Sequence, residues 1–145
     1  MATLVDTNIL IYRCDPRDPA KREVARAELR RGAGSDQFRI AHQSLVEFVN
    51  SAIRSRGGPS LMTPEDATRQ AELLMAEFPI LYPNDQLFRA ALLGMAAYRL
   101  SWFDAHLWAY AEHYGIAEIL SEDFEHGRMY GRVRVRNPFV EAGLA

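Results

Sequence analysis

The chain has 145 residues and a formal net charge of −2 at pH 7. This length predicts one domain, residues 1–145, with a core of its own. The charge excludes attraction of nucleic acid by the molecule as a whole, so such binding would require a local basic patch. Cys14 is the only cysteine, which excludes an internal disulfide and a cysteine metal cage, and favours a reducing cytosolic compartment. Asp6 interrupts the short first apolar run, so we expect neither a signal peptide nor a membrane span there.

Apolar runs and helix signals alternate along the chain. Strands are predicted at residues 3–6, 38–41, 79–83, 116–120 and 132–136. Helices are predicted at residues 8–13, 20–31, 42–55, 64–78, 85–98 and 102–114. The second of these helices is expected to stop at Gly32-Ala33-Gly34. This alternation predicts an α/β fold in which helices cover both faces of a parallel sheet.

Two acids follow predicted buried strands. Asp6 follows the first strand, and Asp123 comes shortly after the strand that ends at Leu120. A buried carboxylate is costly unless a partner uses it, and open α/β sheets keep their sites at the carboxyl ends of strands. Structural roles fit as well, since Asp6 can cap the following helix and Asp123 can form a turn. Glu122 stays open as the alternative to Asp123.

Two further acids lie on predicted helices. Glu47 lies nearly opposite an apolar stripe, so periodicity predicts a solvated residue unless the polar face of this helix lines a cleft. Asp104 heads a stripe of Leu107, Trp108 and Ala111, which indicates that it points inward. The alternative for Asp104 is the third helical position of a capping box that Ser101 begins.

The four acids together indicate more than each one alone. Clustered carboxylates repel one another, and a cation among them relieves that repulsion. A hard cation with oxygen ligands, Mg²⁺ or Mn²⁺, suits such a set. It would activate water and stabilise the charge on phosphoryl oxygens. The sequence contains neither a Gly-rich phosphate-binding loop nor the spacing of a zinc site.

The alternation near the C-terminus places three arginines on one strand face. Arg132, Arg134 and Arg136 alternate with two valines. One interpretation is a charged edge that prevents pairing between sheets. The other is a basic strip for a nucleic-acid backbone, which Arg128 would extend.

Five segments together resemble a PIN-domain protein of the VapC type, the ribonuclease toxins of bacterial type II toxin–antitoxin pairs. In chain order they are Val5-Asp6-Thr7-Asn8, Glu47, Ser101-Trp102-Phe103-Asp104-Ala105, Leu120-Ser121-Glu122-Asp123-Phe124 and Val135-Arg136-Asn137-Pro138-Phe139. Each motif is short, but their order and spacing as a set are specific. Ser121 stands where threonine is common, which keeps the hydroxyl.

The resemblance implies a three-layer α/β/α sandwich with a mainly parallel sheet. It implies an acidic metal pocket made of Asp6, Glu47, Asp104 and Asp123, with Asn8 and Ser121 as polar helpers. Such proteins are endoribonucleases that depend on Mg²⁺ or Mn²⁺. They usually form homodimers, and a VapB-like antitoxin wraps the toxin and blocks the pocket.

Two other functions are weighed against this one. A phosphatase of the haloacid dehalogenase type also begins with an acid at a strand end, but it needs a second acid two residues later, where this chain has Asn8. A non-catalytic interaction domain with a PIN-like fold is the second alternative. Retention of all four acids argues against it.

Overall fold

Residues 1–144, which the computed structural model describes, form six strands and seven helices, with two helices after each of the first three strands. The strands are β1 (Thr3–Val5), β2 (Phe38–Ala41), β3 (Ile80–Leu81), β4 (Glu118–Leu120), β5 (Met129–Tyr130) and β6 (Val133–Arg136). The helices are α1 (Thr7–Cys14), α2 (Pro19–Ser35), α3 (His42–Ile53), α4 (Pro64–Glu77), α5 (Asp85–Tyr98), α6 (Trp102–His113) and α7 (Pro138–Glu141).

One sheet carries all six strands in the order β3-β2-β1-β4-β6-β5. Every neighbouring pair is parallel except β5 and β6. Strand β1 lies inside the sheet, with Val5 in register with Leu120 of β4 on one side and Ile40 of β2 on the other. The residues that follow Val5 and Leu120, Asp6 and Ser121, are thereby brought together at one edge.

Two apolar clusters pack on the two faces of the sheet. Leu4 joins the cluster built largely from α5 and α6, while its neighbour Val5 joins the cluster built from α1, α2 and α3. Successive strand residues point to opposite faces, so this division shows a sheet covered by helices on both sides. The predicted three-layer α/β/α sandwich with a mainly parallel sheet is confirmed. Within residues 1–144, none of the helices combines the length and the apolar character that crossing a membrane requires.

The predicted stop of α2 at Gly32-Ala33-Gly34 is wrong, because the helix continues to Ser35. A Cβ atom on Gly32 would lie 2.2 Å from the Phe38 ring, so this glycine allows the helix and β2 to approach closely. The helix ends instead at Asp36, whose φ of 57° is left-handed. Glycine near a helix end predicts a terminus, but Gly32 instead allows a packing contact.

The C-terminal strands differ from the prediction in one respect. Val133 and Val135 are buried and Arg134 is exposed, which confirms the alternation. Strand β5 was not predicted, and it pairs antiparallel with β6 through a turn at Gly131, where φ is 65°. Residues 79–83 shorten to the two-residue strand β3 at the sheet edge.

Candidate active site

Asp6 lies at the carboxyl end of β1 and is 6% exposed. Its Oδ1 accepts a 2.7 Å hydrogen bond from the Thr7 amide and so caps α1. Its Oδ2 accepts hydrogen bonds from Ser121 Oγ at 2.6 Å and from Asn8 Nδ2 at 3.3 Å. The two interpretations of Asp6, helix cap and site residue, are therefore compatible, because each uses a different oxygen.

Ser121, at the carboxyl end of β4, connects two of the acids. Its hydroxyl donates to Asp6 and accepts from the Asp123 amide at 3.0 Å and from Asn8 Nδ2 at 3.3 Å. The hydroxyl thus uses its donor and both of its acceptor positions. This arrangement holds the backbone of Asp123 beside Asp6, as expected for two strand ends in register.

Glu47, in α3, is half-buried rather than fully solvated. Its Oε1 accepts a 2.7 Å hydrogen bond from Gln43 Nε2, which also donates to the Phe103 carbonyl at 3.0 Å. The Gln43 Oε1 atom lies 2.6 Å from His106 Nδ1. Because the amide nitrogen donates to two oxygens, the amide oxygen accepts from the His106 Nδ1–H. Sequence reasoning missed Gln43 and His106, although the i,i+4 spacing of Gln43 and Glu47 was a usable signal.

Asp104 occupies the first turn of α6 and is half-buried. Its amide donates to Ser101 Oγ at 3.2 Å, so Ser101 caps the helix as predicted. The carboxylate therefore lies near the N-terminus of α6, where the helix dipole favours negative charge.

The electrostatics of Asp6 are those of an acid inside a negative cluster. Burial raises the pKa of Asp6 to about 7, and the Asp123 and Glu47 carboxylates also raise it. The hydrogen bonds from Ser121 and from the Thr7 amide lower it, but they do not offset the burial.

Burial and neighbouring carboxylates also raise the pKa values of the two acids on helices, Glu47 and Asp104. Burial raises the pKa of Glu47, against the hydrogen bond from Gln43, and Asp104 and Asp123 raise it further. Burial also raises the pKa of Asp104, against Ser101, and Asp123 adds to the rise. Asp123 therefore lies close enough to each of the other three acids to raise its pKa.

Glu122 has different partners from its neighbour Asp123. Its carboxylate accepts from Lys21 Nζ at 2.8 Å and from the Tyr12 hydroxyl at 2.7 Å. A cation thus balances the charge of Glu122, whereas Asp123 acts on the acid cluster. The geometry favours Asp123 as the member of the site.

Arg136 does not fit the predicted nucleic-acid strip, because carboxylates occupy its guanidinium. Glu28 and Glu141 lie 2.9 Å from it and Glu118 lies 3.3 Å from it. These contacts tie β6 to α2, β4 and α7. Arg128, Arg132 and Arg134 are exposed, and a role for them in RNA binding stays a prediction.

A cleft of about 640 Å³ opens beside the acids. Glu47 and Asp123 contribute to its lining, together with Thr7 and Asn8 from the start of α1. Its lining also includes three arginines that sequence reasoning missed, Arg17, Arg54 and Arg56. The last two belong to the connection between α3 and α4. The cleft explains how Glu47, opposite an apolar stripe, can still serve a site.

The side chains of the acid cluster offer the kinds of donor atom that a hard cation prefers. Its donors are carboxylate oxygens, and the buried Asn8 Oδ1 has no hydrogen-bond partner within residues 1–144. Oxygen donors of these kinds are the ligands that Mg²⁺ and Mn²⁺ prefer. In the same part of the chain, no group of three or more His, Cys, Asp or Glu side chains is arranged to hold a metal ion. The types of donor atom therefore fit Mg²⁺ or Mn²⁺, whereas the positions of these side chains do not form a metal site within residues 1–144.

A mainly parallel α/β/α sandwich with acids at the carboxyl edge defines the class of protein. The family model for the PIN domain matches residues 3–132. The chain therefore belongs to the PIN domain family. No curated protein matches the sequence.

Solved structures of low sequence identity share the fold. The VapBC complex of Salmonella typhimurium bound to DNA is 14% identical, with a TM-score of 0.71 over 95% of this chain and 98% of the other. VapBC2 of Rickettsia felis, bound to a promoter DNA fragment, is 12% identical, with a TM-score of 0.69 over 94% and 98%. The Mycobacterium tuberculosis toxin VapC20, which cleaves the sarcin-ricin loop, is 16% identical, with a TM-score of 0.62 over 81% and 87%.

Proposed function

We propose that this protein is a metal-dependent endoribonuclease of the VapC type, the toxin of a toxin–antitoxin pair. The observation that carries the proposal is the cluster of Asp6, Glu47, Asp104 and Asp123 at the carboxyl edge of the sheet, where burial and mutual repulsion raise the pKa of three of them. Such a cluster is costly in a metal-free protein and is typical of a site that uses a cation.

In this mechanism Asp6, Asp104 and Asp123 would hold Mg²⁺ or Mn²⁺, directly or through water. The bound ion would lower the pKa of water and stabilise charge on the phosphoryl oxygens of the RNA. Glu47 either joins the ligands or accepts a proton from the attacking water. Ser121 and Asn8 hold the Asp6 carboxylate in one orientation through the hydrogen bonds to its Oδ2.

The relatives support the choice of substrate and partner. VapC20 is described as a toxin that cleaves the sarcin-ricin loop, which is RNA. The Salmonella and Rickettsia structures are VapBC complexes. By analogy, this chain hydrolyses RNA phosphodiester bonds and binds a VapB-like antitoxin that covers the acidic cleft.

A cleavage assay tests the proposed reaction. We expect Mg²⁺- or Mn²⁺-dependent cleavage of RNA by the wild type and its loss in Asp6→Asn and Asp104→Asn. Full activity of both variants would contradict the role of the acids. Hydrolysis of a small phosphate ester in place of RNA would favour the phosphatase alternative, and absence of both reactions and of metal binding would favour the non-catalytic one.

The proposed assembly has separate tests. Exposed apolar side chains on α5, Phe88, Leu92, Leu93 and Met95, support a homodimer because such a surface is unfavourable in water. Light scattering of the isolated protein measures this oligomeric state. Co-expression with the product of the neighbouring gene, followed by purification, tests for the antitoxin.

A further inference from the structure

The cleft beside the acid cluster carries charges of both signs. Its acids are Asp15, Glu47, Glu122 and Asp123, while Arg54 and Arg56 come from the connection between α3 and α4. Both arginines are exposed to solvent. A negatively charged polymer bound in this cleft would therefore lie beside these two cations.

Arg54 and Arg56 differ from other arginines near the acid cluster in having no carboxylate partner. Arg17 forms two hydrogen bonds to Asp15, at 2.8 and 2.9 Å, and three carboxylates surround Arg136. Within residues 1–144, the Arg54 and Arg56 side chains form no hydrogen bond or ion pair. Their guanidinium groups do not neutralise the acids of the cleft, so they are free to bind another anion.

The segment that carries these arginines is held by its own hydrogen bonds. The Ser55 hydroxyl donates to the Gly58 carbonyl, and Gly57 has a φ of 78° in the same turn. At the far end, the Met62 amide donates to the Ala52 carbonyl at 3.0 Å and so joins the segment to the end of α3. These hydrogen bonds connect the segment that carries the two arginines to the end of α3.

The cleft offers phosphate contacts but no free aromatic surface for bases. Among residues 1–144, Tyr12 is the one aromatic residue that lines it. The Tyr12 ring packs against Phe139 at 5.1 Å, and Lys21 Nζ lies 4.9 Å from its centre. Base stacking in single-strand binding needs an open aromatic face. Arginine, in contrast, binds phosphate oxygens through two parallel hydrogen bonds.

We propose that Arg54 and Arg56 bind backbone phosphates of the RNA next to the scissile bond, and that this wall of the cleft recognises the backbone rather than the bases. The inference rests on the proposed ribonuclease function. It assigns the phosphate contacts to the connection between α3 and α4, instead of to the exposed strip of Arg128, Arg132 and Arg134.

The test uses the double variant Arg54→Gln/Arg56→Gln with a single-stranded RNA oligonucleotide. The matched control is Arg89→Gln/Arg99→Gln, which removes two exposed arginines of the α5 region that do not line the cleft. We expect KM to rise about tenfold with kcat nearly unchanged, because the contacts act on binding. The slope of log(1/KM) against the logarithm of the salt concentration should become less steep by about 1.4. This value assumes two lost contacts at about 0.7 for each single-strand phosphate contact. Arg54→Lys/Arg56→Lys should retain most of that salt dependence because it keeps both charges.

A second measurement separates this inference from the proposed function. Fluorescence anisotropy gives the Kd of the same RNA for Asp104→Asn, with and without the two arginine substitutions. If the wild type cleaves no RNA, the proposed function fails, whatever the arginines do. If the wild type cleaves RNA but Arg54→Gln/Arg56→Gln leaves KM, Kd and salt dependence unchanged, the inference fails alone.

Two other outcomes also overturn the inference. The first is an increase in KM confined to Arg132→Gln/Arg134→Gln, which would return the phosphate contacts to the C-terminal strip. The second is normal RNA binding by Arg54→Gln/Arg56→Gln together with weakened binding of the co-purifying antitoxin, which would make the two arginines a protein-binding surface. Equal changes with poly(U) and poly(A) oligonucleotides support backbone recognition, and a change confined to one of them contradicts it.

Discussion

Gln43 Nε2 donates a 2.7 Å hydrogen bond to Glu47 Oε1 one turn later in α3. The same amide receives a hydrogen bond from His106, so an α6 side chain helps to orient an α3 carboxylate. Gln43→Ala should lower cleavage by about 10- to 100-fold, as is typical when a hydrogen-bond partner of a metal-binding carboxylate is removed. The measurements are kcat and the Mn²⁺ concentration at half-maximal rate. The exposed Gln86→Ala is the control, and equal activity of the two variants would count against this role.

We expect cleavage to require a hydroxyl at position 121, which either serine or threonine can supply. Ser121→Ala removes the donor to Asp6 Oδ2 and the acceptor for the Asp123 amide, so both acids lose a fixed position. We expect a loss of about 10- to 100-fold in cleavage rate for alanine and near wild-type activity for Ser121→Thr. Single-turnover cleavage measures both. Wild-type activity of Ser121→Ala would show that the hydroxyl has no such part.

Adjacent acids should respond in opposite ways to loss of charge. Glu122→Gln weakens the pair with Lys21 and costs about 1 kcal/mol or less in stability, since this pair is partly exposed. We expect it to retain activity. Asp123→Asn removes the carboxylate that repels the other three acids, and it should abolish cleavage. Cleavage rates and the midpoints of urea unfolding check both variants. The reverse order of activities would make Glu122 the site residue.

The metal-free protein should lose stability as the pH rises from about 4 to about 7. The pKa of Asp6 is about 7 in the folded state and lower in the unfolded chain, so the folded state binds the proton more tightly in this range. The free energy of unfolding therefore falls with rising pH, until Asp6 is ionised in both states. Glu47 and Asp104 contribute in the same direction because burial raises their pKa values too.

Asp6→Asn should remove most of the decrease in unfolding free energy that the wild type shows as the pH rises. We expect the variant to exceed the wild type at pH 8 by about 1–3 kcal/mol in unfolding free energy, since each pKa unit corresponds to about 1.4 kcal/mol. Urea unfolding in EDTA between pH 4 and pH 8 measures the difference. Addition of Mg²⁺ or Mn²⁺ should stabilise the wild type more than the variant. Identical pH profiles in EDTA would contradict the buried-acid account.

Gly32 and Gly34 lie in the same helix, but substitution by alanine should change the stability of the protein in opposite directions at the two positions. Gly32→Ala forces a Cβ atom against the Phe38 ring and should destabilise the protein by about 1–3 kcal/mol or more. Gly34 has open space around it, so Gly34→Ala should stabilise α2 by up to about 1 kcal/mol. Thermal unfolding of the two variants makes the comparison, and equal effects would contradict the packing contact.

The positions of the acids were predictable to different degrees. Asp6 and Asp123 follow buried strands, and parallel strands bring their carboxyl ends together, so local patterns predicted their common edge but did not distinguish Asp123 from Glu122. Glu47 could not be placed by periodicity, because its cleft depends on a connection, residues 54–61, that follows α3. The short strand β5 was missed because two residues give no alternation. Gly32 was misread because its partner Phe38 lies beyond the end of the helix.

One oxygen of the Asp6 carboxylate accepts from the Thr7 amide at the start of α1. The other accepts from the side chains of Asn8 and Ser121. The start of α1 and the end of β4 therefore both contact this one carboxylate. A shift of α1 that broke the Thr7 and Asn8 contacts would remove two hydrogen bonds from this carboxylate and leave the one from Ser121. On the proposed ribonuclease function, a ligand that displaced α1 from outside the cleft would weaken cleavage by releasing the Asp6 carboxylate.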